Sequence, residues 1–181
     1  MGDVVGITGC LKIQNNLLDQ IKKKKIDFVI VNAENAAEEG VGLTKEICED
    51  FFKSGVNVIT TGNHVWDQKE IMNFIDKENR LLRPRNLFEP APGNGFGVYT
   101  TEENIKIGVL NLMGNVFMKK CDDVFEISKI FIEKHKLKKD YDFLIVDFHG
   151  EITSEKNAIG HFFDGKACLL YTSDAADDRI C

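Results

Sequence analysis

Apolar residues along the chain alternate between helically spaced stripes and short solid runs. From Leu11, the positions Ile13, Leu17, Leu18 and Ile21 mark one face of a helix, and "IDFVIVN" at 26–32 follows as an apolar run too short for another. The pattern repeats: Ile47, Phe51 and Phe52 form a stripe closed by Gly55, and "VNVITT" at 56–61 reads as a second buried strand. "DQKE" from Asp67 has the spacing of a capping box and predicts a helix through Ile71, Phe74 and Ile75. "FGVYTT" and "IKIGVLNLMG", joined by the polar link "EEN", predict a hairpin. A helix from Val124 to His135, the buried strand "DFLIVDFHG" and a helix over "TSEKNAIGHFF" complete the series. Solid apolar strands alternating with helices predict an α/β fold with a mainly parallel sheet covered on both faces. The segment 84–97 holds all three prolines and reads as a long loop of the kind that often borders a site.

The chain has 181 residues, enough for one well-buried domain, and shows neither internal repeats nor a low-complexity linker. A net charge of −6 argues against coating a nucleic acid, while leaving room for a small anionic substrate held by a metal. No apolar run approaches the roughly 20 residues of a membrane helix, and "MGDVVGITGC" lacks the basic flank of a signal peptide, so a cytoplasmic location is expected. The five cysteines are scattered singly, which points to reduced, buried thiols rather than a zinc knuckle or a disulfide framework. "KKKK" at 22–25 falls at a helix end, where lysines complement the dipole.

In open α/β sheets ligands bind beyond the carboxyl ends of the strands, and those exits are rich in metal ligands here. They carry Glu34 and Asn35, then Asn63 and His64 in "TTGNHVWDQKE", then Asp147 and His149, with Asp3 near the chain start. Any one of these is ordinarily a cap or surface residue; several on one sheet suggest a catalytic site of carboxylate, amide and imidazole donors, suited to manganese, iron or zinc. Two such ions bridged by a carboxylate provide a nucleophile at neutral pH and a clamp on a phosphoryl group, and Glu34 is placed to bridge them. Gly62 is expected to turn the chain sharply off its strand. His135 and His161, on helices, are expected at the surface or in packing; Trp66 and Phe117 are of a type that can line a nucleotide base pocket, but core packing is the default for both.

The strings "GDVVG", "VNAENAAEEGVGLT", "TTGNHVWDQKEI", "LLRPRN", "VFM" and "DFHGEITSEKNAIGHFFDG", in order from Gly2 to Ala167, resemble the YmdB-type family of bacterial calcineurin-like metallophosphoesterases. The resemblance implies a metallophosphoesterase sandwich with helices flanking the sheets. It implies two divalent metal ions, iron or manganese, and hydrolysis of phosphodiesters such as 2′,3′-cyclic nucleotides by a metal-bridged hydroxide. Asp3, Glu34 as the bridge, Asn35, Asn63 and His149 would be the ligands, and His64 the general acid. An amide can coordinate through its oxygen, and a histidine ordinarily titrates at about 6.5, so Asn63 and His64 suit those roles. The implied partner is a small phosphodiester or cyclic nucleotide, with no stable nucleic-acid or membrane binding and with room for a homo-oligomer.

The pattern departs from that family at both ends. Only Met1 and Gly2 precede Asp3 where the family has an apolar strand, and no histidine follows His161 where the family has two more ligands. The fold is therefore expected to be incomplete, with a metallophosphoesterase domain fragment at 1–167 and weak or no turnover. "CLLYTSDAADD" is also the reading of a sequencing-library adapter, which marks 168–181 as a non-native tail. Two other readings remain open: another metal-dependent hydrolase, and a non-catalytic nucleotide- or partner-binding regulator.

Overall fold

A computed structural model describes residues 1–88 and 90–173, so 174–181 of the tail lie outside the described residues. Two sheets are present where the apolar pattern suggested one. β1 (Ile30–Asn32), β2 (Val58–Thr60) and β3 (Leu81–Leu82) run parallel in that order. β4 (Phe96–Thr100), β5 (Lys106–Met113), β6 (Phe143–His149) and β7 (Leu169–Ser173) form the second sheet, in which β4–β5 is the expected antiparallel hairpin and the other pairs are parallel.

The sheets face each other through Val58 and Leu82 on one side and Ile107 and Val109 on the other, with Ile30 and Ile145 packed against them. α1 (Gly6–Lys24) and α2 (Lys45–Lys53) cover the first sheet through Ile13, Leu17, Cys48 and Phe51. α3 (Val124–Lys134) and α4 (Thr153–Phe163) cover the second through Val124, Phe131, Ile159 and Phe163. The single sheet suggested by apolar periodicity is thus corrected to an α/β/β/α sandwich, with helices flanking a pair of sheets, the arrangement implied by the family resemblance. Either arrangement buries both faces of a strand, so solid apolar runs do not distinguish them.

Asn111, in the middle of β5, ties the sheets together by donating from Nδ2 to the carbonyls of Thr61 (2.8 Å) and Leu82 (3.1 Å). Residues 1–4 lie along β1: the Met1 ammonium donates to Ile30 O, Asn32 N to Met1 O and Val4 N to Asn32 O. Asp3 therefore has a sheet edge behind it.

The helix predicted from Asp67 is replaced by two 3-10 turns, Lys69–Asn73 and Ile75–Lys77. The capping box does not form because both of its side chains are used elsewhere. Glu70 accepts the backbone N–H of Lys45 at 2.7 Å, and Asp67 holds His64 and Lys119. The lysine run ends α1 as expected, with Lys25 closing the helix in the left-handed region. The long loop at 84–97 is organised by the buried guanidinium of Arg83, which donates to the carbonyls of Pro84, Ala91 and Pro92. Cys10 and Cys48 are buried free thiols, whereas Cys121 is half-buried and Cys168, just before the edge strand β7, is exposed, contrary to the expectation of burial. No helix among the described residues is long and apolar enough to cross a membrane.

Candidate metal centre

β1, β2 and β6 end on the same side of the sandwich. β6 carries Asp147 and His149 two residues apart, hence on one face, and both are buried. The segment after β1 brings in Glu34 and Asn35, and the segment after β2 brings in Gly62, Asn63 and His64.

One ligand atom each from Asp3, Glu34 and His149 lie within 4.8 Å of one another. His149 Nε2 stands 2.9 Å from Glu34 Oε1 and 2.8 Å from Asn63 Oδ1, so a single nitrogen is shared by two oxygens. Asn35 Nδ2 donates to Glu34 Oε1 at 3.4 Å, and the His64 backbone N–H approaches Glu34 Oε2 at 3.5 Å. All six site residues expected from the sequence, Asp3, Glu34, Asn35, Asn63, His64 and His149, therefore converge on one place. His135 and His161 do not: the first packs between Phe96 and Phe131, and the second is exposed on α4.

Gly62 permits this convergence for a reason other than the sharp turn expected of it. Its φ is not in the left-handed region, yet a Cβ at this position would overlap Glu34 Oε2 and stand 2.6 Å from His149 Cδ2. Glycine is required there because the carboxylate and the imidazole occupy the space of a side chain.

The electrostatics fit a cation site. Burial raises the Asp3 carboxyl to about 6, partly offset by His149, and the charges of Glu34 and Asp147 push it further up. For His149, burial opposes protonation, but the hydrogen bond and charge of Glu34, with Asp3 and Asp147, outweigh it and hold the imidazolium above its ordinary value. Asp3 Oδ1 is buried without a hydrogen-bond partner, although such an atom ordinarily finds one. Three oxygen donors and one imidazole nitrogen in a buried, net acidic pocket are the chemistry that a hard-to-borderline divalent ion completes, replacing the shared proton on His149.

The sequence pattern does not single out Asn32 and Lys119, and it marks Asp67 only as a helix cap. Asp147 Oδ2 accepts from Asn32 Nδ2 at 3.3 Å, and Asn32 Oδ1 accepts the Glu34 N–H at 3.3 Å, which links the buried Asp147 to the backbone of Glu34. His64 Nδ1 lies 2.5 Å from Asp67 Oδ2, and Lys119 Nζ donates to the other Asp67 oxygen at 3.0 Å. Burial works against the Asp67 carboxylate, but these two hydrogen bonds outweigh it and hold its pKa below the usual value. An ionised Asp67 must accept, so Nδ1 of His64 is a donor and Nε2 faces away from Asp67, as in other oriented histidines. The i,i+3 spacing of His64 and Asp67 was the available signal, and the capping-box pattern obscured it.

Two stacked sheets with flanking helices and an acidic, histidine-bearing cluster at the strand exits define a metallophosphoesterase-type α/β fold. The chain belongs to the family described as YmdB-like protein, whose model matches residues 1–180. It is 39% identical over 184 residues to the 2′,3′-cyclic-nucleotide 2′-phosphodiesterase of Bacillus subtilis (strain 168), an alignment covering 99% of this chain and 68% of that protein. A crystal structure described as a novel phosphatase from Mycoplasma pneumoniae superposes with a TM-score of 0.86 at 38% identity, covering 96% of this chain and 62% of the other. A hypothetical protein from Thermus thermophilus gives the same TM-score at 32% identity, covering 95% and 65%. The chain thus spans about two thirds of the length of these relatives.

Proposed function

We propose that this chain carries the metal centre and general acid of a phosphodiesterase acting on small phosphodiesters, 2′,3′-cyclic nucleotides among them. The observation that carries the reading is the juxtaposition of the Asp3–Glu34–His149 donor cluster with a histidine oriented by its own carboxylate. Asp3, Glu34, Asn35, Asn63 and His149 would hold two divalent ions, iron or manganese. When bound, the ions supply a nucleophile at neutral pH and neutralise charge on the phosphoryl oxygens.

The protein's own groups do the rest. Asn32 and Gly62 fix Glu34 in place, the first through the Glu34 N–H and the second by leaving room for its carboxylate. Asp67 holds the Nδ1 proton of His64, so that in the imidazolium form the second ring proton, on Nε2, is the one passed to the departing alkoxide, while Lys119 keeps Asp67 ionised. The backbone N–H of His64 points to Glu34, so acid and donor cluster are locked to one short segment.

The test is hydrolysis of bis-p-nitrophenyl phosphate and 2′,3′-cyclic AMP by the full-length gene product, with and without manganese. Manganese-dependent turnover that His64→Ala abolishes on the cyclic nucleotide is the expected result. Absence of metal-dependent hydrolysis, or unchanged turnover in His64→Ala, removes the reading.

A further inference from the structure

The connection from β5 to α3, residues 114–123, is held at both ends. Glu155, buried on α4, accepts the backbone N–H groups of Asn115 (2.8 Å) and Val116 (3.4 Å), and Gly114 lies against the Glu155 carboxylate with no space for a side chain. On the far side, Asn115 Oδ1 accepts the Val124 N–H at 3.0 Å. Its Nδ2 donates to Asp122 O at 3.0 Å, which also accepts from the buried Asn86. Between these anchors Phe117 is 86% exposed, and its backbone is left-handed with φ +62°. The expected packing role for Phe117 is therefore wrong, whereas Trp66 does pack against the first core.

A left-handed phenylalanine is an outlier, and exposing its ring leaves apolar area in water. The fold gains nothing locally from either, and such strain persists only where the surroundings enforce it, most often at ligand clamps and active sites. Two residues further on, Lys119 reaches Asp67, the partner of His64. Phe117 is thus at most about 7 Å, Cα to Cα, from a residue bonded to the His64–Asp67 pair.

We propose that Phe117 is the platform on which the nucleobase of the substrate stacks while its phosphate lies at the metal centre. The proposal rests on the phosphodiesterase reading above. The donor cluster and His64 address only the phosphate and the leaving oxygen. A flat, exposed ring on a loop held at both ends, and tied to Asp67 through Lys119, offers the π-face that every base can use, and stacking needs no hydrogen-bond readout. It follows that purine and pyrimidine 2′,3′-cyclic nucleotides are accepted with modest discrimination.

The experiment compares the manganese-loaded full-length gene product with its Phe117→Ala and Phe117→Trp variants on 2′,3′-cyclic AMP and on glycerol 1,2-cyclic phosphate, which has the same five-membered phosphodiester ring but no base. Stacking contributes enough that Phe117→Ala should lower the ratio of kcat/KM for the nucleotide over the base-free ester roughly tenfold, mainly through KM, while Phe117→Trp retains the ratio. An unchanged ratio in Phe117→Ala overturns the platform but leaves the phosphodiesterase reading intact if the unmodified protein turns over both esters. Failure of the unmodified protein on both esters overturns the two together. A Phe117→Ala protein that instead loses capture of a protein partner, with the ratio unchanged, assigns the ring to docking and also overturns the proposal.

Discussion

Gly62 faces the carboxylate of Glu34 with no room for a side chain between them. Gly62→Ala is therefore expected to displace Glu34 and His149 together, at a cost of about 1–3 kcal/mol in stability. Misplacement of the ligands should cost about 100-fold in turnover, more than the stability loss alone would give. Thermal unfolding and calorimetric manganese titration of the same variant separate the two effects; normal metal affinity would show that the site tolerates the methyl group.

His64 and Asp67 make a distinct prediction through the leaving group. His64→Ala should slow 2′,3′-cyclic AMP hydrolysis by about 100- to 10,000-fold, the range of a lost general acid. It should slow bis-p-nitrophenyl phosphate far less, because nitrophenolate departs without a proton. Asp67→Asn keeps the shape but removes the ionised acceptor for Nδ1–H, and a loss of at least about tenfold in kcat with little change in KM is expected. Equal slowing of both substrates in His64→Ala would argue against proton donation.

The raised pKa values of Asp3 and His149 fix a pH dependence. Asp3 binds a proton in the folded, metal-free protein up to about 6 but only to about 3.8 when unfolded, so its contribution to stability falls as pH rises through that interval. His149, also raised, stabilises the fold below its unfolded value and loses this as pH rises through its folded one. The metal-free protein should therefore lose stability on going from pH 4 to neutrality and beyond. Metal binding displaces the same protons, so affinity should climb across that range with protons released to the buffer. Calorimetry at pH 5.5 and 7.5 in two buffers checks both statements; pH-independent affinity would contradict them.

Asp147 offers a test of the buried support behind Glu34. Burial raises its pKa against the hydrogen bonds of Thr60 and Asn32, and Oδ1 has no partner. A carboxylate so placed is costly at neutral pH, so Asp147→Asn should stabilise the metal-free protein by about 1 kcal/mol at pH 7 and not at pH 4. If Asp147 positions Glu34 through Asn32, the same variant should weaken manganese binding. Stabilisation without weaker binding would make Asp147 a purely structural residue.

The assignment of 168–181 to an adapter is a proposal about the gene and is tested there. Residues 169–173 pair with β6 as β7, and the family match extends to 180. Resequencing of the locus should replace "CLLYTSDAADD" by a different coding sequence; continuous coding through that string would make the segment native.

The legible parts of the sequence were those with a local cause. The hairpin β4–β5 and the helices α1 to α4 follow from apolar spacing and turn residues close to them in the chain. Glu34, Asn35, Asn63, His64 and His149 drew attention because they end or follow strands, and Asp3 because its surroundings resemble a known family. The 3-10 turns at 69–77 were misread because Asp67 and Glu70, ideal for a cap, are drawn off by His64, Lys119 and Lys45. Such competition lies between groups far apart in sequence, and no local propensity encodes it.

By itself, the sequence determined that strands and helices alternate and that carboxylate, amide and imidazole groups gather at strand exits, since both are matters of period and residue type. Tertiary structure alone decided which strands share each of the two sheets and that Gly62 makes room for Glu34. It also decided that Asn32 joins Asp147 to Glu34, and that Phe117 is held out in water above a loop fixed by Glu155. Each depends on which distant surfaces meet, and packing at close-packed density settles that only when the whole chain has folded.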